Sequence, residues 1–442
     1  MLPTATQSRS SFSPSNAMRQ AIRSVVADGR VTEAEWNTVL RPQADTLPKK
    51  ASAEARQLVD VWASSKFELD GGARRQMADF LQSRGYAVPQ ERPQGLSTTA
   101  LARRIAKSNV GEKDTGYEQL VAKAGRAGAE VNVAVLDNGF DMWHPELGPK
   151  GWANPAEVPG NWGDEDRNGK VDDSHGWDFV DGNNDTGNPH GDWHGTHVAG
   201  IASQGTDRVN VMPMRVLGPP PYDIRKVAEA VEYAIQRGAK VINMSFGFGT
   251  PERMAVMREL MARHPSVLFV AAAGNDSRPL EQLDPSKDLA ANSLPNLVVV
   301  AASDEEGRPA SMTNYGRTAN LAAQGADVMS TIPGAGYSRM SGTSMAAPQV
   351  TNLSGRMLVL DPALSPTALK RLMADSSDVR ADWQGKVAAG GTINMERATR
   401  LAGLTGLVRS GKTVEQAADQ LGLKGTERQK LVKLVQGYLA EG

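Results

Sequence analysis

The chain has 442 residues, of which 22% are charged; its formal net charge is −1 and it contains no cysteine. This inventory excludes disulfides, thiolate catalysis and Cys-ligated zinc, and it gives no electrostatic reason to expect a nucleic-acid partner. The length suggests two or three units of unequal size, and no apolar run approaches a bilayer span, so no membrane partner is expected.

The N-terminal stretch MLPTATQSRSSFSPSNAMRQ lacks a basic n-region and an apolar h-region, so the protein is expected to be cytoplasmic, or secreted without a classical signal peptide. Residues 1–108 carry 16 Lys and Arg against 10 Asp and Glu, a basic head. Between residues 16 and 84, apolar side chains recur at helical spacing, as in Ala21, Ile22, Val25 and Val26, then Leu58, Val59, Val61 and Trp62. This predicts a helical accessory or regulatory domain over 1–108, closed by a Pro- and Gly-containing linker from Pro89 to Ser97. Ala27 to Trp36 resembles the second half of an EF-hand loop, but Ser24 and Val26 occupy early ligand positions, which favours a metal-free helix-loop-helix.

From 109 to 405 strands and helices alternate, which predicts an α/β domain with parallel strands joined by crossover helices. Strands are expected at Val131 to Asp137, Val211 to Leu217, Lys240 to Met244, Val267 to Ala273 and Val298 to Ser303. Helices are expected after His194, from Ile224 to Arg237, from Pro251 to Arg263, and from Ser344 to about Leu360. Residues 406–442 form a short helical extension whose first segment weakly suggests a helix-turn-helix, with a packing role preferred to DNA contact.

Amide hydrolysis near neutral pH needs an activated hydroxyl, a base, a group that orients the base, and donors for the oxyanion. Taken singly, each candidate is ambiguous. Asp137 ends an apolar strand but suits a turn or helix cap equally well, and His194 in HGTHVAG could be a satisfied core histidine. Ser344 in SGTSMAAP could be an ordinary helix cap, although a helix N-terminus also favours developing negative charge. Asn275 in AAAGND could be a turn residue.

Together, VAVLDNG, HGTHVAG and GTSMAAP resemble the motifs of the subtilisin-like serine proteases, in that family's order Asp, His, Ser, and the similarity spans roughly residues 112–405. The resemblance implies a three-layer sandwich around a central parallel sheet. It assigns Ser344 as nucleophile, His194 as base, Asp137 as its orienting partner and Asn275 as an oxyanion donor. It also implies that Ser245, Phe246 and Gly247 line the cleft edge, facing a wall of Ala272, Ala273 and Gly274. The other edge reads GPPPYD (Gly218 to Asp223), whose prolines remove donors, so unusual distal subsites are expected.

Residues 157–192 hold ten acids against Arg167 and Lys170 alone. Within them Asp164, Asp166, Asn168, Asp172 and Asp173 alternate like the oxygen ligands of a calcium loop, so a structural calcium is set beside a plain solvated acidic loop; no cofactor is needed for the chemistry. Trp143, Trp152, Trp162, Trp177 and Trp193 are expected to pack this insertion. His190, His194 and His197 raise a rival zinc-hydrolase reading, which lacks an HExxH pattern and leaves SGTSMAAP unexplained. A silent scaffold is the other alternative, although no triad member is missing. The expected partners are a protein or peptide substrate, and either intramolecular docking of the basic head on the acidic insertion or a protein inhibitor.

Overall fold

The structure is a computed structural model of the whole chain and describes residues 30–44, 68–69, 76–77, 80 and 113–440, apart from 143, 145, 162, 188–192, 220–221 and 334–335. The chain divides into two compact units: residues 1–94, 154–174 and 183–185 form one, and residues 95–153, 175–182 and 186–442 form the other.

In the first unit, strand β1 (Arg30–Val31) pairs in parallel with β2 (Glu68–Leu69), so the described part of the head is not wholly helical as expected. Thr32 and Glu35 cap the following helix reciprocally, and Trp36–Leu40 continues it with wider π-helical turns. Trp36 is fully buried and meets Phe80 edge-on, with ring centroids 5.8 Å apart. The expected linker at Pro89 to Ser97 and most of the expected head helices lie outside the described residues.

The second unit is built on a nine-stranded sheet. Its strands are β3 (Val131–Asp137), β4 (Trp177–Asp178), β5 (Val209–Arg215), β6 (Val241–Met244), β7 (Leu268–Ala272), β8 (Leu297–Ser303), β9 (Leu321–Gln324), β12 (Asp378–Val379) and β13 (Gly391–Thr392). They lie in the order β12-β13-β9-β8-β7-β6-β3-β5-β4, all parallel except the β12–β13 pair. From β3 the chain first winds towards β5 and then returns to β6 on the other side, so the carboxyl end of β3 is a switch point. Asp137 stands there.

Period-two alternation sends Val133 and Val135 to one core and Ala134 and Leu136 to the other. The first core holds the helices His194–Ser203 and Thr343–Leu360; the second holds Ile224–Gln236 and Pro251–Arg263. That arrangement is the expected three-layer sandwich. Trp152 and Trp177 belong to the second core rather than to the insertion, and Trp193 is 47% exposed. The boundary expected at 405 falls inside the helix Met395–Arg409, and Leu421, Leu423, Leu431 and Val435 of the C-terminal segment bury into the first core. No helix among the described residues is long and apolar enough to cross a membrane.

A hairpin that the sequence did not announce, β10 (Val328–Ile332) with β11 (Gly336–Met340), leads directly into Ser341 to Ser344. Two buried imidazoles hold it: His144 Nε2 donates to the Gly336 carbonyl at 2.9 Å and His197 Nε2 to the Ser338 carbonyl at 3.0 Å. Ser330 and Thr331 in turn donate to the carbonyls of His197 and Thr196, both at 2.8 Å. Burial pushes the His197 pKa down to about 4, against backbone hydrogen bonds that raise it. The folded state therefore takes up this proton less readily than the unfolded chain, and the stabilisation present above about pH 6.5 is lost as pH falls towards 4. In an inactive Ser344→Ala background, the unfolding free energy from denaturant titration should drop between pH 7 and 4 by about 3 kcal/mol more with His197 than with His197→Gln. Equal pH dependence of the two proteins would remove His197 from this role.

Candidate active site

Asp137 lies two residues beyond Val135, so its side chain faces the helix layer that carries His194 and Ser344. A fully buried carboxylate requires donors. Asp137 Oδ1 accepts the Asn138 N–H at 2.8 Å, and Oδ1 and Oδ2 lie 2.9 and 3.0 Å from His194 Nδ1. Because a carboxylate oxygen only accepts, His194 Nδ1 carries a proton, and in the neutral imidazole the lone pair is therefore on Nε2.

The helix start is held to the end of β3 by its neighbours. Asn138 Oδ1 accepts the Gly195 N–H at 3.1 Å, and Thr196 Oγ1 accepts the Asp141 N–H at 3.0 Å. A Cβ at Gly195 would run into the Gly139 carbonyl, so only glycine permits this approach.

The helix Thr343–Leu360 begins one residue before Ser344, whose N–H therefore has no intrahelical acceptor and points out of the positive end of an 18-residue helix. Ser344 Oγ donates to the Ser245 carbonyl at 3.2 Å, and Ser245 Oγ donates back to the Ser344 carbonyl at 3.0 Å. The second bond is possible because Pro348, four residues on, has no N–H to offer that carbonyl. Ser245 Oγ also accepts from Asn243 Nδ2, and Asn243 Oδ1 accepts from Thr351 Oγ1, both at 3.0 Å. Asn275 is exposed; its Oδ1 accepts the Thr343 N–H at 2.9 Å and the Thr343 hydroxyl at 3.0 Å, which leaves its amide N–H donors directed away from Thr343. Residues 128–408 match the model of the subtilase family. The chain belongs to the subtilase family.

This subtilase is 34% identical over 251 residues to the thermophilic serine proteinase of Bacillus sp. (strain AK1), covering 54% of each chain. It is 30% identical over 313 residues to subtilisin-like protease 1 of Plasmodium falciparum, covering 64% of this chain and 44% of the relative. The match therefore spans about half the length of these two relatives. With thermitase of Thermoactinomyces vulgaris the identity is 29% over 292 residues, covering 62% of this chain and 90% of thermitase. Among solved structures, a lanthipeptide protease aligns with a TM-score of 0.52 at 22% identity, covering 65% of this chain and 95% of that one. Subtilase cytotoxin SubAB aligns at 0.53 and 22%, covering 67% and 99%. At that identity these two similarities show the fold.

Alternation also sorts the residues expected to line a cleft in this subtilase. Asn243 and Ser245 continue the face of Val241 towards the serine helix, while Phe246 packs against the opposite core and Gly247 is exposed. Ala272 packs against the first core, but the Ala273 methyl is buried in the second, so Ala273 does not line the expected wall with its side chain. On the facing edge, Tyr222 donates its hydroxyl to the Gly247 carbonyl at 2.6 Å and meets Phe246 edge-on at 6.0 Å. The Arg253 guanidinium stacks 4.1 Å from the Tyr222 ring centroid. Pro220 and Pro221 lie outside the described residues, as do Trp143 and Trp162 of the insertion.

In the first unit, Glu157, Asp164 and Asp166 bring carboxylate oxygens within 4.8 Å of one another. Glu157 was not anticipated, because it precedes the alternating run and is folded back onto it: its Oε1 accepts the N–H groups of Glu165 at 3.1 Å and Asp166 at 3.3 Å. Asn154 Nδ2 bridges Asp166 at 3.1 Å and Asp173 at 3.0 Å, and Asn168 Nδ2 donates to Asp173 at 2.8 Å. Asp172, expected among the ligands, instead receives the Gly160 N–H on both oxygens, at 2.9 and 3.0 Å. The rival zinc reading needs His190, which is not among the described residues, while His197 Nε2 is committed to the Ser338 carbonyl.

Proposed function

We propose that this subtilase is a serine endopeptidase that cleaves peptide bonds in protein or peptide substrates through an acyl-enzyme. The observation that carries the reading is the two-oxygen grip of Asp137 on His194 Nδ1, which puts the proton of the neutral imidazole on Nδ1 and makes Nε2 its base. Ser344 Oγ leaves the Ser245 carbonyl and attacks the substrate carbonyl carbon, while His194 Nε2 takes the hydroxyl proton. Asp137 stabilises the imidazolium. The oxyanion receives hydrogen bonds from the Ser344 N–H and Asn275 Nδ2. The C–N bond then breaks and His194 gives its proton to the departing amine. Water repeats the two proton transfers, regenerating the serine and releasing the new carboxyl terminus. His194 serves as base only when neutral, so turnover should be fastest at neutral to alkaline pH.

Ser245, Phe246 and Gly247 form the edge for an extended substrate backbone, with Ala272 and Gly274 opposite; the Tyr222 hydroxyl on Gly247 supports the expectation of altered distal subsites. No cofactor enters the chemistry. A calcium ion in the insertion would be held by Glu157, Asp164 and Asp166, with Asn168 and Asp173 beside them, and would supply structural charge neutralisation. The donor set fits: it is all oxygen, and burial together with the charges of Asp173, Glu165 and Asp166 pushes the Glu157 pKa up to about 7, so a cation would relieve that crowding. The basic head acts on the insertion. This rests on the charge partition and on the grouping of residues 154–174 with residues 1–94 in one compact unit.

A fluorophosphonate probe should label the wild type and leave Ser344→Ala unmodified; label retained in the variant would displace Ser344 as nucleophile. Calcium at about 100 times its dissociation constant adds about 2.7 kcal/mol, so the melting temperature should rise by roughly 3–4 °C in Ser344→Ala and not after Asp164→Asn with Asp166→Asn. A rise in both proteins would place the ion elsewhere. Deleting residues 1–108 should change the salt dependence of peptide hydrolysis, and an unaltered profile would end the docking reading.

A further inference from the structure

Asn275 is exposed, and among the described residues its side chain is held only by Thr343. Its place relative to the sheet must therefore come from the peptide units on either side. The Gly274 N–H donates to Thr343 Oγ1 and the Ser277 N–H to the Met312 carbonyl, both at 3.0 Å, and one buried residue makes most of the remaining bonds to this turn. Asn314, 1% exposed, donates from Nδ2 to the Ala273 carbonyl at 3.0 Å and to Asp276 Oδ2 at 3.4 Å. Its Oδ1 accepts the N–H of Asp276 at 2.9 Å and of Arg278 at 3.2 Å, and its backbone N–H donates to the Gly274 carbonyl at 2.9 Å.

A carboxamide has two donors and two acceptor sites, and here every one is used on the segment that carries Asn275. Gly274 adopts φ +97°, and a Cβ there would collide with Asn314 Nδ2, so the chain passes as close to Asn314 as a backbone can. Asn314 is itself anchored to the sheet. The Thr313 hydroxyl donates to the Asn314 carbonyl at 3.0 Å and accepts the Ala302 N–H of β8 at 2.8 Å.

We propose that Asn314 is a positioning residue for catalysis: it fixes the turn from Ala273 to Arg278 so that Asn275 Nδ2 meets the oxyanion without rearrangement. This rests on the reading of Asn275 as an oxyanion donor. Preorganisation of that kind acts on the transition state rather than on substrate binding, so it appears in kcat and not in KM.

The test is a double-mutant cycle on a small peptide amide, with enzyme concentrations set by active-site titration so that misfolded protein is not counted. Asn275→Ala should lose about 10²–10³ in kcat, a magnitude established on a member of the same family rather than derived from this chain. Asn314→Ala should lose roughly 10–100-fold in kcat, with KM within about twofold. The double variant should turn over like Asn275→Ala alone, within about threefold, because a misplaced donor and an absent one are equivalent. Should Asn314→Ala fail to fold, Asn314→Ser, which keeps an acceptor but not the amide donors, enters the same cycle with the same expected non-additivity. Losses that multiply in the double variant, or an unchanged kcat on replacing Asn314, would overturn the inference while leaving the oxyanion reading intact. A full-rate Asn275→Ala would overturn both.

Discussion

A carboxylate with no solvent exposure, placed at the end of the central strand, is the constraint from which the rest of the site follows. Asp137 cannot remain charged there without donors, and the donors available are the Asn138 N–H and His194 Nδ1. Meeting that need fixes the tautomer of His194, and the tautomer decides that the lone pair sits on Nε2. The same need explains the neighbouring sequence. Asn138 ties the first turn of the histidine helix to the strand end, and Gly195 lets backbone pass where a side chain would not fit.

Ser344, the proposed nucleophile, is placed by a second set of constraints, centred on a missing hydrogen bond. Pro348 withholds the N–H that would normally satisfy the Ser344 carbonyl, and Ser245 on the neighbouring β6 end fills the gap. The first turn of the serine helix is thereby fastened to the sheet through Ser245, Asn243 and Thr351, while Thr343 orients the Asn275 amide. Ser344, Thr343, Asn275 and Ser245 are thus parts of one hydrogen-bonded assembly. The two imidazoles that clamp β11 extend it to the strand leading into Ser344.

The strand-end and helix-start positions of Asp137, His194 and Ser344 were legible in the sequence, whereas the roles proposed for them and for Asn275 came from the resemblance of their motifs, each residue being ambiguous alone. Their supporting residues were not legible. Thr343 reaches Asn275 across 68 positions and Thr351 reaches Asn243 across 108, and no local pattern encodes such pairings. Ala273 was misplaced because a wall read as consecutive residues ignores the alternation that sends its methyl to the other core. Asp172 fitted the spacing of a calcium loop, yet its backbone adopts φ 57° and its carboxylate turns to Gly160. Glu157 lay outside the pattern and was brought in by the fold. The boundary at 405 followed the end of the family resemblance, whereas the helix Met395–Arg409 runs through it because its buried face continues into the core.

A crystal structure of the protein with a peptidyl aldehyde or boronate tests this arrangement most directly. The account predicts a tetrahedral adduct on Ser344 Oγ, with its oxygen about 2.7–3.1 Å from Asn275 Nδ2 and from the Ser344 N–H nitrogen. It also predicts His194 Nε2 within about 2.6–3.2 Å of Ser344 Oγ, with the Asp137–His194 pair unchanged. An adduct on another residue, or one on Ser344 whose oxygen points away from Asn275 with His194 out of reach, would contradict it.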